Sequence, residues 1–251
     1  MVITGTFYER IKNLIMTGSQ AMIYIKLLLT AFFWGGTFVA GRILKENVGP
    51  FSAAFLRFAV ASILLLVIIR KKEGRMPRLQ PSQWLPVACL GLTGVFAYNA
   101  FFFKGLQLIS AGRASLVIAT SPVLIALFSA WFYGEKLSPL KITGILLSMA
   151  GALVVISKGS LMTVLESGPG IGELMIFGCV LSWVAYSLIG KMVMQTLSPL
   201  VAVTYSALAG TAFLLFPAWV EGLLVDLPAY SLPEWASIIY LGFCRLERVN
   251  R

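Results

Sequence analysis

The stretch Trp34-Gly-Gly-Thr-Phe-Val-Ala-Gly-Arg42, followed by Pro50, has a second copy in this chain of 251 residues. The second copy is Trp183-Val-Ala-Tyr-Ser-Leu-Ile-Gly-Lys191, followed by Pro199. Its tryptophan, glycine, basic residue and proline each follow their counterparts by 149 residues. A fixed offset of this length indicates an internal repeat.

The composition indicates a membrane protein. The chain is 59% hydrophobic and 12% charged, and its mean hydropathy is +0.89. A water-soluble domain of this size cannot bury so much apolar surface in one core, whereas lipid accepts it. The net charge of +10 would suggest nucleic acid for a soluble protein, but the basic residues lie between apolar runs, where they orient helices. We therefore predict a lipid bilayer as the partner and no nucleic acid.

Eight apolar runs follow one another along the chain. The first seven are near the ~20 residues that cross ~30 Å of hydrocarbon, whereas the eighth is about half as long. The second copy begins five runs after the first, so it enters the membrane from the opposite side. Inverted repeats of this kind are typical of transporters. The runs are predicted at 25–44, 51–69, 84–103, 114–132, 139–156, 171–189, 199–219 and 235–244.

The repeat divides the chain into four predicted segments. Residues 1–20 form a polar leader, 21–157 a first unit of five helices, 171–244 an incomplete second unit, and 245–251 a charged tail. The eighth run covers only half a bilayer, so we expect it to lie at the interface or to enter the membrane only partly. The fold expected is an all-α integral membrane protein with about seven full helices and part of an eighth.

The distribution of Lys and Arg predicts the orientation. The segments that connect the runs alternate between the two sides of the membrane. The side that includes the amino terminus has eleven basic residues, and the other side has five. Such an excess marks the cytoplasmic side. We therefore predict a multi-pass protein of the cell (inner) membrane with a cytoplasmic amino terminus. The 70–78 loop should be inside, and Gly168 and Pro228 should be outside.

The chain lacks the residues that many enzymes and metal proteins need. It contains no histidine, and its three cysteines, Cys89, Cys179 and Cys244, are far apart. P-loop and Rossmann fingerprints are absent, so we predict no nucleotide or other cofactor. An integral-membrane transferase would need a paired acid and base, and no clustered Asp or Glu is visible. We therefore predict a non-enzyme without a metal site, with such a transferase as the weaker alternative.

Polar and aromatic side chains inside the apolar runs are candidates for a substrate cavity. Each of them could instead have a purely structural role. Such groups also pack helices together, and the long side chain of Arg57 can extend toward the membrane interface. The repeat-related Trp34 and Trp183 are predicted to approach each other or the same cavity. Pro122 should kink the fourth run and free carbonyls near Ile118. The candidates are Trp34, Thr37, Arg57, Tyr98, Asn99, Ser121, Trp183, Tyr186 and Tyr205.

Glu135 is the candidate for coupling transport to an ion. It ends the fourth run beside Lys136, so an interfacial ion pair is the alternative role. The complete runs contain no carboxylate at mid-membrane depth, which is where proton antiporters usually carry one.

Four short motifs resemble the EamA-like branch of the drug/metabolite transporter superfamily. They are Phe33-Trp-Gly-Gly-Thr-Phe38, Arg57-Phe58, Ser121-Pro122 and Gly134-Glu-Lys-Leu-Ser138. The resemblance, over about 27–244, implies ten helices in two inverted five-helix repeats and export of small metabolites, often amino acids or related solutes. The prediction is a secondary transporter that works by alternating access. Part of the second repeat, which supplies half of the cavity in that family, is not found here, so a non-transporting fragment is the alternative.

Overall fold

The computed structural model describes residues 22, 24–25, 28–45, 47–134, 137–156 and 170–243. In these ranges the chain forms a bundle of helices and no strand, which confirms the predicted all-α fold. Each predicted run corresponds to a helix whose ends lie within about five residues of the prediction. The helices are α1 (Leu28–Leu44), α2 (Pro50–Glu73), α3 (Pro81–Leu108), α4 (Ala111–Tyr133), α5 (Pro139–Ile156), α6 (Ile171–Val193), α7 (Pro199–Val220) and α8 (Leu232–Phe243).

Five of these helices, α2, α3, α4, α6 and α7, are long and apolar enough to cross a membrane. Helices α1 and α5 are also apolar but have shorter qualifying stretches within the described residues. Proline and glycine explain most of the boundaries. Pro50, Pro81 and Pro199 occupy the first turn of their helices, where a missing N–H costs nothing. Gly134 ends α4 with a φ of 66°, a left-handed conformation that suits glycine.

Helix α4 is interrupted where the sequence predicts it. Its two parts, Ala111–Ile118 and Ser121–Tyr133, meet just before Pro122. Pro122 has no N–H to donate to the carbonyl of Ile118, four residues earlier. The Ser121 hydroxyl donates to that carbonyl instead, at 2.6 Å. The predicted kink is confirmed, and the freed carbonyl is satisfied locally by Ser121.

Residues related by the repeat contact each other at the centre of the bundle. Helices α2 and α7, which are equivalent in the two copies, pack against each other over an extensive contact. The hydroxyls of Ser62 and Thr211, which are 149 residues apart, lie 3.2 Å from each other. Equivalent residues can meet in this way only near a two-fold axis. The internal repeat is therefore a structural pseudo-symmetry as well as a sequence pattern.

The surroundings of two glycines, Gly91 and Gly242, confirm this pseudo-symmetry, because their neighbours are equivalent residues of the two copies. A Cβ on Gly91 would lie 2.9 Å from the Ala209 Cβ and 3.0 Å from the Ser206 carbonyl oxygen. A Cβ on Gly242 would lie 2.9 Å from the Val60 Cβ and 3.1 Å from the Arg57 carbonyl oxygen. Arg57 and Val60 are the repeat counterparts of Ser206 and Ala209. The packing of α3 on α7 is thus repeated by the packing of α8 on α2.

Polar contacts show that the two copies are inverted. At one end of the bundle, the loop between α1 and α2 meets the α7–α8 segment, where Asn47 donates to Glu234 at 2.6 Å and Ser52 donates to Glu221. At the other end, the Tyr205 hydroxyl donates to the Pro77 carbonyl at 2.7 Å. The α1–α2 loop and its counterpart, the α6–α7 loop, therefore lie at opposite ends.

Helix α8 begins at the α1–α2 end and runs along α1 and α2. Its Tyr240 hydroxyl donates to the Phe33 carbonyl at 2.9 Å, and Gly242 packs on Val60. Its 12 residues cover ~18 Å, a little more than half of the hydrocarbon thickness. The depth of α8 in the membrane remains a prediction. The tail 245–251 lies outside the described residues.

Candidate functional site

Aromatic side chains from α1, α3 and α6 converge between the two copies of the repeat. Trp183 contacts three other rings: its centroid lies 6.4 Å from that of Trp34, 5.5 Å from Tyr98 and 4.9 Å from Tyr186. Phe102 extends this group, because it stacks on Tyr98 at 6.0 Å and contacts Phe38 at 5.5 Å. We call these six residues the aromatic cluster: Trp34, Phe38, Tyr98, Phe102, Trp183 and Tyr186.

The contact between the two tryptophans confirms the predicted approach of Trp34 and Trp183. Their rings meet edge to face, with an interplanar angle of 86°, which is a favoured geometry for aromatic pairs. Because the two residues occupy equivalent positions in the inverted copies, the contact places both copies at one site. Trp34 remains 40% exposed, whereas the other members of the cluster are half-buried or buried.

A positive charge lies next to the aromatic cluster. The guanidinium carbon of Arg57 is 5.2 Å from the ring centroid of Phe58 and 5.9 Å from that of Phe103. Phe103 in turn contacts Phe102 of the cluster, with centroids 5.2 Å apart. The buried Cys179 thiol lies within hydrogen-bonding reach of Tyr98 and in the neighbourhood of the Arg57 charge. Arg57 therefore belongs to the surroundings of the cluster.

The part of α3 just before Tyr98 is a π-helical segment, Leu92–Ala97. Short π-helical segments often occur at functional sites. Gly94 of this segment contacts the ring of Tyr186 so closely that a Cβ at this position would overlap the ring. Asn99 is fully buried, and its Nδ2 donates to the carbonyl of Val95 in the segment. The segment thus connects the positions of Tyr98 and Tyr186 through direct packing.

The structure does not bring all predicted candidates to the cluster. The Thr37 hydroxyl donates to the Trp34 carbonyl at 2.7 Å, within its own helix. Ser121 satisfies the break in α4, and Asn99 is buried beside Val95. Tyr205 lies at the α2–α3 end, where it contacts Trp84, with a centroid distance of 6.0 Å. Glu135 lies outside the described residues, so its role in coupling remains a prediction.

A groove of about 370 Å³ is present at the α2–α3 end, away from the aromatic cluster. It contains none of the predicted candidates. A buried apolar layer, formed by Val87, Leu90, Val193 and Ala202, contacts Tyr186 and shares Val193 with the groove. This layer separates the groove from the cluster. The groove is lined by Gln80, Ser82, Gln83, Pro86, Met192, Val193 and Thr196.

Several residues of the site were not predicted from the sequence. Phe38 and Phe102 cannot be distinguished by sequence from the other apolar residues of a membrane helix, so nothing marks them as residues of the site. Gly94 was not singled out because glycine is common in membrane helices. Cys179 is not among the sequence-predicted candidates, and only the structure places it beside Tyr98 and Arg57. Within the described ranges, no three carboxylate or thiol side chains converge in a way that would hold a metal ion.

The inverted helical repeat, the lipid-compatible surface and a polar-aromatic site between the repeats together define the class of multi-pass membrane transporters. The chain belongs to the EamA-like transporter family, whose family model matches residues 21–157 and 170–246.

Curated relatives have names that agree with this class. The uncharacterized transporter YyaM of Bacillus subtilis is 28% identical over 88% of this chain and 72% of its own length. A probable terminal-alkyne amino-acid exporter of Streptantibioticus cattleyicolor is 31% identical over 86% of this chain and 70% of its own. The aromatic amino acid exporter YddG of Ancylobacter novellus is 29% identical over 85% of this chain and 72% of its own. All three names describe transporters or exporters.

A solved crystal structure shares the fold. It superposes with a TM-score of 0.62 at 24% identity, and the match covers 90% of this chain and 75% of that chain. The helical arrangement described above is therefore one that occurs in an experimental structure.

Proposed function

We propose that this protein is a secondary transporter of the cell (inner) membrane, and not an enzyme, that exports small amphipathic metabolites such as amino acids or related solutes. The observation that carries the proposal is the contact of Trp34 with Trp183, which joins the two inverted copies at one aromatic site. Two of the relatives are named as amino-acid exporters, which supports this solute class.

The chemistry of the aromatic cluster suits amphipathic solutes. Ring faces bury the apolar part of a solute, at ~25 cal/mol for each Å² removed from water. The same faces attract an ammonium group through the ring quadrupole, with ~0.5–2 kcal/mol for each contact. Tyr98 and Tyr186 add hydroxyl groups that can orient a polar end. A site of this kind binds a small solute without requiring a fixed ion or cofactor.

The two copies of the repeat suggest how access could alternate. In this conformation the apolar layer of Val87, Leu90, Val193 and Ala202 closes the path from the groove to Tyr186. For the cluster to receive a solute from the α2–α3 end, this layer must open. Rocking of one inverted copy against the other would open it and close the opposite end. The groove would then be the entrance on the cytoplasmic side.

Efflux from proteoliposomes tests the proposed function. The purified chain is reconstituted, the vesicles are loaded with a panel of radiolabelled amino acids and related metabolites, and the release is compared with that of empty liposomes. Solute-dependent release that saturates with concentration is the expected result. The absence of such release for every member of the panel would contradict the proposal.

The proposed orientation is tested by labelling single cysteines. In a variant without Cys89, Cys179 and Cys244, a cysteine is introduced at Gly74 or at Pro228. A membrane-impermeant maleimide added to intact cells is expected to label position 228 and to leave position 74 unmodified until the cells are permeabilised. This result follows from the excess of basic residues near Gly74. Labelling of position 74 in intact cells without labelling of position 228 would reverse the proposed topology.

A further inference from the structure

We propose that Arg57 makes the aromatic cluster selective for solutes that carry a carboxylate. This inference rests on the proposed function, because it names the chemical group that the same site recognises. In this arrangement the carboxylate faces Arg57, and the apolar part of the solute lies on the rings around Trp183.

The position of Arg57 is the first argument. Arg57 lies ~9 Å along α2 from Phe51, which is inside the helix and not at its end. Its guanidinium carbon is 5.2 and 5.9 Å from two ring centroids, and Phe103, the second of these rings, contacts Phe102 of the cluster. Cys179, whose thiol reaches Tyr98, is also close enough to interact with the charge of Arg57. The guanidinium is thus one ring away from the cluster.

The energetics of a charge at this depth are the second argument. An arginine inside a membrane helix is costly on insertion scales, so such residues usually face a cavity or a pathway. Contacts with ring faces offset part of this cost. The guanidinium carries a positive charge, and its planar geometry matches the two oxygens of a carboxylate. An anionic group brought by the solute would therefore bind here with favourable charge and geometry.

The asymmetry of the repeat is the third argument. The counterpart of Arg57 in the second copy is Ser206, which is buried and donates to the Val203 carbonyl at 3.0 Å. Only one of the two equivalent positions therefore carries a charge. A solute at the aromatic cluster meets a tryptophan from each copy, but this pair of positions offers a cation from one copy only. The carboxylate end of the solute is thus directed toward α2.

Matched pairs of acids and amides test the selectivity. Equilibrium binding to the purified chain is measured for phenylalanine and phenylalaninamide, for leucine and leucinamide, and for N-acetylphenylalanine. We expect the carboxylates to bind at least about tenfold more tightly than the amides. N-Acetylphenylalanine, which keeps the carboxylate and lacks the ammonium group, should bind in the range of the carboxylates.

Variants then assign the selectivity to one side chain. Arg57→Gln is expected to weaken the binding of carboxylates by about 10- to 100-fold and to leave amide binding within about twofold. Arg57→Lys should restore part of the loss, because an ammonium keeps the charge but not the bidentate geometry. Arg70→Gln is the matched control, since Arg70 is the same residue type on the same helix and is exposed at its other end. It should leave all affinities unchanged.

The outcomes separate this inference from the proposed function. If solutes are transported but acids and amides bind equally well, or if Arg57→Gln leaves carboxylate binding unchanged, the inference is overturned and the transporter proposal stands. If the wild-type chain neither binds nor moves any member of the panel, both are overturned. Should Arg57→Gln fail to fold, as judged by gel filtration and circular dichroism, the acid and amide comparison on the wild-type chain decides the inference alone.

Discussion

Replacing Trp183 with alanine is expected to reduce solute efflux by about 10- to 100-fold in reconstituted vesicles. Trp183 contacts Trp34, Tyr98 and Tyr186, so its removal takes away the side chain that connects both copies of the repeat. Loss of an aromatic anchor at the centre of a binding site can cost about 2 kcal/mol or more. With tenfold in affinity for each ~1.4 kcal/mol, this corresponds to the expected range. Initial rates at a low solute concentration provide the measurement.

Trp131→Ala is the matched control for this experiment. Trp131 is 74% exposed on α4 and lies outside the aromatic cluster. Its replacement should leave the efflux rate within about twofold of the wild-type rate. Equal rates for Trp183→Ala and the wild-type chain, at equal amounts of reconstituted protein, would show that the cluster does not bind the solute.

Replacing Gly91 with alanine is expected to destabilise the helix bundle strongly. A Cβ on Gly91 would lie 2.8 Å from the backbone nitrogen of Gly210 and 3.0 Å from the carbonyl oxygen of Ser206. These are backbone atoms, so relief requires α3 and α7 to move apart. Overpacking of this kind costs ~1–3 kcal/mol. Thermal unfolding in detergent should show a midpoint several degrees lower than that of the wild-type chain.

A glycine in open surroundings provides the comparison for this second prediction. Gly112, near the start of α4, has no atom within 4 Å of an added Cβ, so Gly112→Ala should leave the midpoint unchanged. Gly242→Ala should resemble Gly91→Ala, because Gly242 has the equivalent neighbours Val60 and Arg57. An unchanged midpoint for Gly91→Ala would mean that α3 and α7 do not approach as closely as described here.

Most of the fold could be predicted because the chain contains strong local signals. Proline in the first turn marks the start of α2, α3 and α7, and apolar runs of spanning length mark the helices themselves. The repeat carries further information, because positions equivalent under a pseudo-two-fold axis lie on matching faces. The contact of Trp34 with Trp183 is of the kind that this symmetry predicts for equivalent residues close to the axis.

The remaining features depend on tertiary packing and carry no local signal. The π-helical segment 92–97 has an ordinary apolar sequence, and its register is visible only in the structure. Tyr205 was expected near the cavity, but the α2–α3 loop folds back over it and Pro77 accepts its hydroxyl hydrogen bond. The surroundings of Arg57 depend on the rotation of α2 relative to α3, which the sequence pattern does not determine.

Photo-crosslinking with a diazirine-bearing amino acid tests the central claim most directly. The claim is that the solute binds at the aromatic cluster, between the two copies of the repeat. After irradiation of the reconstituted chain and digestion, mass spectrometry should locate adducts on peptides that contain Tyr98, Trp183 or Tyr186, and excess unlabelled leucine should suppress them. Adducts confined to the groove around Gln83 and Met192, or insensitive to unlabelled solute, would contradict the account.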